Sequence, residues 1–459
     1  MGPKVRFLHT ADIHLGRPLN SGGQKPPPSL ADLFRGAGYR ALKSIVDQAL
    51  KHEVDFILIA GDLYDQEARS VKASRFLLEQ CQRLEKKDIA VYIIAGNHDF
   101  RGRKREPFTL PENVFILGSK EVETEEFTSP GGQVGARIMG QSYRSRFESR
   151  KMYSYYTAPD RASLNLGLLH TQLDPQNKNY VPVKKSDLRA KEDIHYWALG
   201  HIHEPQILNR KLPAVVFSGT PQGRDVGETG LKGCFLVEMD TTNKPDIKFL
   251  PTSPVVFRKI FVDINSSSGR KPQNLSDLEE LLYDKAETIL KEDPRETVNF
   301  FEQDKAKILL PEGGSPVQGY IVRWVVKGRG PVHDLIAENR TEVTAEIISG
   351  LNDMFAEQDP FLWTHSLLFH TGQQLPGIDE LQESNQLYKE IAGVVEDALQ
   401  DEELKKELLA SWGRIWEGSS DHEAGDPDKF YPDQETVEDL LAEAQQKIIG
   451  ELFAEGEEE

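Results

Sequence analysis

Asp55-Phe56-Ile57-Leu58-Ile59-Ala60-Gly61-Asp62-Leu63-Tyr64-Asp65 is the stretch on which the reading of this chain turns. Phe56 to Ala60 is a short, uninterrupted apolar run rich in β-branched residues, which predicts a strand buried on both faces. The run ends in Gly-Asp, so a carboxylate stands at the C-terminal edge of that strand, where ligand sites of open α/β sheets collect. Gly61 permits a sharp turn and the close approach of other groups. One such aspartate is ordinarily a solvated turn residue. Its meaning depends on how many other strand ends carry polar side chains.

Outward from this stretch, the chain to about Pro251 alternates short apolar segments with amphipathic ones, the pattern of an α/β fold. Strands are expected at Val5–Thr10, Phe56–Ala60, Ala90–Ala95, Val114–Leu117, Ala136–Gly140, Ser163–His170, Tyr196–Gly200, Ala214–Ser218 and Gly233–Met239. Helices are expected at Gly38–Lys51 and Val71–Lys87, with the Pro- and Gly-rich Ser21–Pro28 as a surface loop. Near Thr252-Ser253-Pro254 the character changes. Phe257–Ile264, Val317–Lys327 and Leu362–Thr371 predict further strands, and Ser276–Lys291 a helix with a Ser N-cap and Glu279 three residues on. A second helix is expected from about Val332 to Met354. From about Gly377 the pattern is helical, broken by a Gly/Asp/Pro-rich segment from Gly418 to Asp433. The expected domains are residues 1–253, an α+β domain over 254–376, and an acidic helical arm over 377–459.

The 459 residues and two well-separated cysteines, Cys81 and Cys234, give neither a disulfide framework nor a thiolate metal site. No apolar run is long enough to cross a bilayer and the first residues lack a signal-peptide core, so the expectation is a cytoplasmic protein with no membrane partner. The net charge of −19 is unevenly placed. Residues 380–459 hold 24 acidic and 6 basic side chains, leaving 50 acids and 49 bases in the rest. A polyanionic partner for the main body is therefore not excluded.

Five strand ends carry ligand-type side chains: Asp12-Ile13-His14, Gly61-Asp62, Gly96-Asn97-His98-Asp99, Leu169-His170 and Gly200-His201-Ile202-His203. Each follows an apolar run, which puts them on one rim of a sheet. Carboxylate, carboxamide and imidazole without thiolate suit manganese, iron or zinc. Asp12, His14, Asp62, Asn97, His170, His201 and His203 are too many ligands for one ion and fit two ions about 3.5–4 Å apart, bridged by a carboxylate and a water. The two side chains of each Asp-x-His or His-x-His pair must converge from irregular backbone. His9, His52, His195, His333, His365, His370 and His422 are expected to be ordinary core or surface residues, with support of the ligands as the alternative for His9 and His195, which precede these segments.

These five motifs resemble the signature of the calcineurin-like metallophosphoesterases. His9-Thr10-Ala11-Asp12-Ile13-His14-Leu15-Gly16 resembles the opening of SbcD-type DNA repair nucleases, and Ser218-Gly219-Thr220-Pro221-Gln222-Gly223-Arg224 ahead of Lys232-Gly233-Cys234 resembles the YhaO branch. The resemblance implies a two-layered β-sandwich core flanked by helices, a small capping domain and a helical C-terminal arm. It implies one metal on Asp12, His14, Asp62 and His203, a second on Asp62, Asn97, His170 and His201, and His98 as the catalytic histidine. Asp65 stands where some nuclease members carry a second histidine, and is expected to orient and charge His98. The resemblance further implies two divalent ions, Mn²⁺ foremost, a homodimeric subunit, and an SbcC-like coiled-coil ABC-type ATPase partner.

Two divalent ions lower the pKa of a bridging water and neutralise phosphoryl oxygens, so the expected reaction is phosphoester hydrolysis by hydroxide, with His98 donating to the leaving oxygen. The expected substrate is DNA, cut as an exonuclease and possibly an endonuclease would in repair. Arg101, Arg103, Lys104 and Arg105 follow the Asn97-His98-Asp99 segment directly, and with Arg224 are the expected DNA contacts. Arg144, Arg146, Arg150, Lys151, Lys184, Lys185 and Arg189 extend this basic rim. The alternative is a hydrolase of small phosphoesters or nucleotides, since the same metal site serves both.

Overall fold

The computed structural model of the chain describes residues 4–401 except 66–69, 101–105, 129–131, 133, 174–178, 266–270, 299–305, 311–313 and 374–385, together with residues 440, 441, 444, 447 and 448. In chain order the elements are β1 (Val5–Thr10), α1 (Pro28–Lys51), β2 (Phe56–Ala60), α2 (Val71–Glu85), β3 (Ala90–Ile94), β4 (Val114–Ile116), β5 (Glu123–Thr128) and β6 (Val134–Gly140). There follow β7 (Leu164–His170), α3 (Lys185–Arg189), β8 (Tyr196–Gly200), β9 (Gln206–Asn209), β10 (Ala214–Phe217), β11 (Gly233–Met239), β12 (Asp246–Pro251) and β13 (Val255–Asp263). The remainder are α4 (Leu275–Lys291), β14 (Lys307–Ile308), β15 (Gly319–Arg329), α5 (Val332–Glu338), α6 (Arg340–Phe355), β16 (Phe361–Gly372) and α7 (Gln386–Gln400).

Two sheets form the body: a seven-stranded one in the order β14-β12-β11-β1-β2-β3-β4 and a six-stranded one in the order β5-β6-β7-β8-β10-β9. Phe7, Phe56, Leu58, Tyr92 and Ile94 of the first sheet meet Ile138, Leu166, Leu168, Tyr196 and Ala198 of the second in one buried cluster. The alternate residues Leu8, Ile57, Ile59, Val91 and Ile93 face outward and are buried under Leu42, Ile45 and Val46 of α1 and Leu77, Cys81 and Leu84 of α2. The second sheet likewise buries Leu169, Trp197, Leu199 and Phe217 with Leu188 of α3. Because both faces of each central strand are covered, Phe56–Ala60 is apolar at every position rather than at alternate ones. The architecture is a helix-flanked β-sandwich, as expected.

The departures have local causes. α1 starts at Pro28, ten residues earlier than Gly38; Pro28 opens the helix with its backbone already set, and Leu30, Leu33, Phe34 and Ala37 pack on Val255, Phe257, Phe361 and Trp363. That burial outweighs the helix cost of Gly36 and Gly38, about 1 kcal/mol each. The cap of α4 is Asn274, whose side chain accepts from Asp277 N–H at 3.0 Å, rather than Ser276, which lies inside the helix. The expected helix over 332–354 is two, α5 and α6, broken at Asn339 with φ −139° and ψ 44°. The charged edge strand β5, the short β9 and β14, and the six-residue β12 were not expected.

The chain forms two compact units. The first comprises Met1–Arg258, Lys291–Ile321 and Ala356–Trp363; the second comprises Lys259–Leu290, Val322–Phe355 and Thr364–Glu459. A three-stranded sheet has the order β13-β15-β16. In the second unit Leu278, Leu282 and Ile289 of α4 and Val343, Ile347 and Leu351 of α6 are buried, and Trp324 Nε1 donates to Thr364 Oγ1 at 3.1 Å. Of the expected helical arm, α7 is described; the segments over 404–415 and 418–433 lie outside the described residues.

His9 and His195 are structural residues of the sandwich rather than supports for the ligands. His9 Nδ1 lies 3.0 Å from the Tyr196 hydroxyl and Nε2 3.2 Å from Leu199 O, while His195 Nδ1 accepts from Asn165 N–H at 3.0 Å. Burial pushes the His9 imidazole down to about 3. The unfolded chain then binds a proton below its ordinary value near 6.5 that the fold cannot, so stability falls as pH drops from there toward 3. His9→Gln should reduce the stability lost between pH 7.5 and 5.5 by about 1.4 kcal/mol, measured by urea unfolding in chelator. Equal losses for both proteins would show that His9 is not held neutral.

Candidate metal centre

The expected ligands lie on two sheet rims, not one. Asp12, Asp62 and Asn97 follow β1, β2 and β3 of the seven-stranded sheet; His170 ends β7 and His201 follows β8 of the six-stranded sheet. These strand ends meet at one junction. The segment after β1 stays paired with that after β2: Asp12 N–H donates to Gly61 O at 3.0 Å and His14 N–H to Asp62 O at 3.0 Å. His170 Nδ1, 2.9 Å from Ala60 O, joins one sheet to the other.

At these strand ends the backbone leaves strand geometry through left-handed steps. Asp12, His14, Asp62 and His201 have φ of 51°, 46°, 51° and 100°. Non-glycine residues rarely sit there, at a cost of order 1–3 kcal/mol each, and such residues cluster at sites where the conformation itself is used. Four of the seven expected ligands carry this conformation.

Asp62 is the centre of the arrangement. Its Oδ2 lies 3.4 Å from His170 Nε2 and 3.8 Å from His14 Nε2, and its Oδ1 accepts from His98 N–H at 2.9 Å. Asn97 Oδ1 is 2.9 Å from His170 Nε2 and 3.1 Å from His201 Nδ1. Asp12 accepts from His201 N–H at 3.0 Å and stands 4.0 Å from His203 Nε2. Three groups bring their ligand atoms within 4.8 Å of one another: Asp12, His14 and His203; Asp12, Asp62 and His170; His14, Asp65 and His98.

The residues fit a divalent cation. His14 is buried, and among the described residues neither of its ring nitrogens has a hydrogen-bond partner. A Cβ at Gly96 would collide with Asp62 Oδ1 and lie 2.7 Å from His170 Nε2, so the absence of a side chain there keeps the junction open. Burial holds the His14 imidazole well below its usual range and pushes His201 down to about 3, which leaves both neutral and able to bind a metal. Burial also raises the Asp12 carboxyl. For Asp62 burial acts upward too, but His170, His14 and His98 outweigh it and hold the carboxyl well below the usual range. His170 mirrors this: burial lowers it, yet the Asp62 charge carries it up to about 9. A proton on His170 thus does for Asp62 what a bound cation would do more strongly.

His98 lies beside this cluster, its ring 4.9 Å from that of His14. Its Nδ1 is 3.9 Å from Asp65 Oδ1, and Arg17 donates to Asp65 Oδ2 at 2.7 Å. Burial lowers His98, but Asp65 and Asp62 together raise it above its ordinary value. Asp99 ties two ligand loops together, accepting from Gly96 N–H at 2.7 Å and Leu63 N–H at 2.8 Å. Arg17 and Glu228 carried no strand-end signal in the sequence, and Asp99 carried no assigned role. Glu228 Oε1 is 2.6 Å from His203 Nδ1 and accepts from Arg224 Nη2 at 2.8 Å.

Arg224 is accordingly a partner of Glu228 in the wall of the centre, its side chain 13% exposed. Arg150 is paired with Glu148 at 2.5 Å, and Arg144 donates to Ser119 O and Lys120 O, both at 3.0 Å. Arg101, Arg103, Lys104 and Arg105 lie outside the described residues.

Comparison with known proteins agrees with this geometry. The profile of the family described as calcineurin-like phosphoesterase matches residues 5–205. The chain is 33% identical over 361 residues to the uncharacterized metallophosphoesterase YhaO of Bacillus subtilis, covering 78% of this chain and 80% of that protein. It is 26% identical over 238 residues to the DNA double-strand break repair protein Mre11 of Archaeoglobus fulgidus, covering 49% and 52%. With a subunit of the nuclease SbcCD of Bacillus subtilis it shares 24% identity over 261 residues, covering 49% and 64%. The matched region contains the strand ends that supply the buried carboxylates and imidazoles, and the chain belongs to the calcineurin-like phosphoesterases, metal-dependent hydrolases of phosphoesters.

Proposed function

We propose that this phosphoesterase is a DNA phosphodiesterase of the repair-nuclease type that works with two divalent ions, Mn²⁺ foremost. The observation that carries the proposal is the buried Asp62 carboxylate, flanked by imidazoles on both sides, with His98 bonded to it through its backbone. Asp12, His14, Asp62 and His203 would hold one ion, and Asp62, Asn97, His170 and His201 the other. When bound, such ions neutralise phosphoryl oxygens and make a water more acidic. The similarity to Mre11 and to the SbcCD nuclease favours a DNA substrate over a small phosphoester.

The chain's own residues supply the proton. His98, whose affinity for its proton Asp65 and Asp62 raise, donates to the oxygen that leaves phosphorus, and the Arg17 pair holds Asp65 in place. The basic segment Arg101–Arg105, next in sequence, would contact the DNA backbone. An SbcC-like coiled-coil ATPase is the proposed partner of residues 377–459 and the chain a homodimer in that complex. Co-purification with an untagged ATPase of that class tests this, and a monomer that elutes alone contradicts it.

Three measurements test the catalytic proposal. Manganese-dependent cleavage of duplex and single-stranded DNA is expected beside hydrolysis of bis-p-nitrophenyl phosphate, both abolished by chelator; cleavage of the small diester with no cleavage of either DNA favours the small-substrate alternative. His98→Ala should keep both ions by elemental analysis and lose about 10²–10⁴-fold in turnover. Loss of metal from that variant would make His98 a ligand. Asp62→Asn should weaken both ions in a manganese titration, whereas His14→Ala should weaken mainly one; a single-site loss in both refutes the shared carboxylate.

A further inference from the structure

The Ser218–Arg224 stretch, which the reaction leaves without a task, lies directly behind two of the metal ligands. Gly219 has φ 70°, and a Cβ there would come within 2.7 Å of His203 O and 2.8 Å of Pro205 N. Thr220 N–H donates to His203 O at 3.0 Å, and Thr220 Oγ1 donates to Asp12 O at 2.8 Å. A turn follows in which Gly227 N–H donates to Asp225 Oδ1 at 2.9 Å and Glu228 N–H to Asp225 O at 3.0 Å. That turn brings Glu228 back onto the imidazole of His203.

The carboxylate of Glu228 is held from two sides. Its Oε2 accepts from Arg224 N–H at 2.8 Å, and its Oε1 accepts from Arg224 Nη2 at 2.8 Å. Oε1 is also 2.6 Å from His203 Nδ1. A bare Nδ1 would accept from Arg224 Nη2 at 3.0 Å, a longer contact than the 2.6 Å one to the carboxylate oxygen. Were Nδ1 bare, its lone pair would face a carboxylate oxygen at hydrogen-bond distance, which is repulsive. The hydrogen therefore sits on Nδ1 and points at Glu228. Nε2 is then the bare nitrogen, and it is the one that faces Asp12.

We propose that Glu228 is a positioning residue of the metal centre: by accepting from His203 Nδ1 it fixes the tautomer and ring orientation that present Nε2 to the cation shared with Asp12 and His14. The proposal rests on the metal-dependent reading of the site. Carboxylates that hold the far nitrogen of a ligating histidine typically contribute about 10–100-fold to metal affinity. Arg224 and the Ser218–Thr220 segment hold Glu228 and the two ligand loops in register, which gives the whole stretch one task.

The test is a calorimetric Mn²⁺ titration of wild type, Glu228→Ala and Glu228→Gln, with thermal melting of each protein in chelator. Glu228→Ala should weaken one binding event about 10–100-fold and leave the other unchanged, with the metal-free melt lowered because Arg224 loses its buried partner. Glu228→Gln, whose amide oxygen still accepts from Nδ1, should recover part of that affinity. Wild-type affinity in Glu228→Ala, equal weakening of both events, or no recovery by Gln overturns the proposal. Should Glu228→Ala fail to fold, a cycle of Glu228→Gln and His203→Ala decides: the Gln substitution should have no effect once His203 is gone, and an undiminished effect overturns it. A wild type that binds a single ion refutes the two-metal reading alone, provided Glu228→Ala still weakens that ion.

Discussion

Asp62 carries a charge at a place where charge is expensive, and the rest of the centre answers that cost. The residue is 1% exposed, at the junction of two sheets whose interiors are packed with Phe, Leu and Ile. An uncompensated buried carboxylate costs several kcal/mol. Here one oxygen takes the His98 N–H, and the other faces His170 and His14. The low carboxyl of Asp62 and the high imidazole of His170 are two sides of one attraction. His14, whose ring nitrogens have no hydrogen-bond partner among the described residues, is left for something that brings positive charge.

The junction exists because two packing requirements agree. β2 must be apolar on both faces, since one lies in the sandwich and the other under α1 and α2, so polar groups can appear only where the strand stops. β3 and β8 follow the same pattern, while β1 and β7 also hold polar residues within the strand, Arg6 and His9 in one and Asn165 in the other. Their parallel ends gather on one side, and Gly61, Gly96 and Gly200 leave the space that side chains would fill. A Cβ at Gly200 would collide with Ala60 O, so the sheets approach to backbone contact there. Left-handed φ values at Asp12, His14, Asp62 and His201 then turn the ligands inward. Packing of the surrounding core sustains that strain.

This division explains what the sequence made legible. Phe56–Ala60 and Tyr196–Gly200 were readable because full burial forces an unbroken apolar run, and their polar ends then stood out. β5, Glu-Thr-Glu-Glu-Phe-Thr, was not, because an edge strand needs only one partner and carries charge on its open side. The start of α1 was hidden by Gly36 and Gly38, whose helix penalty is offset by contacts with residues more than two hundred positions away. The seven candidate ligands were legible as strand ends, and the structure brings them together. Glu228 was not, since its role comes from a turn that folds back on His203 and leaves no spacing to read. Arg224 was legible as a basic residue beside the site, but its pairing with Glu228 was not.

The central claim is that Asp62 is shared between two cations at the meeting of the two sheets. Anomalous scattering from crystals grown with Mn²⁺ tests it most directly. The account predicts two peaks, one on each side of the Asp62 carboxylate, the first against Asp12, His14 and His203 and the second against Asn97, His170 and His201. A single peak, or two peaks that do not share Asp62, would contradict it.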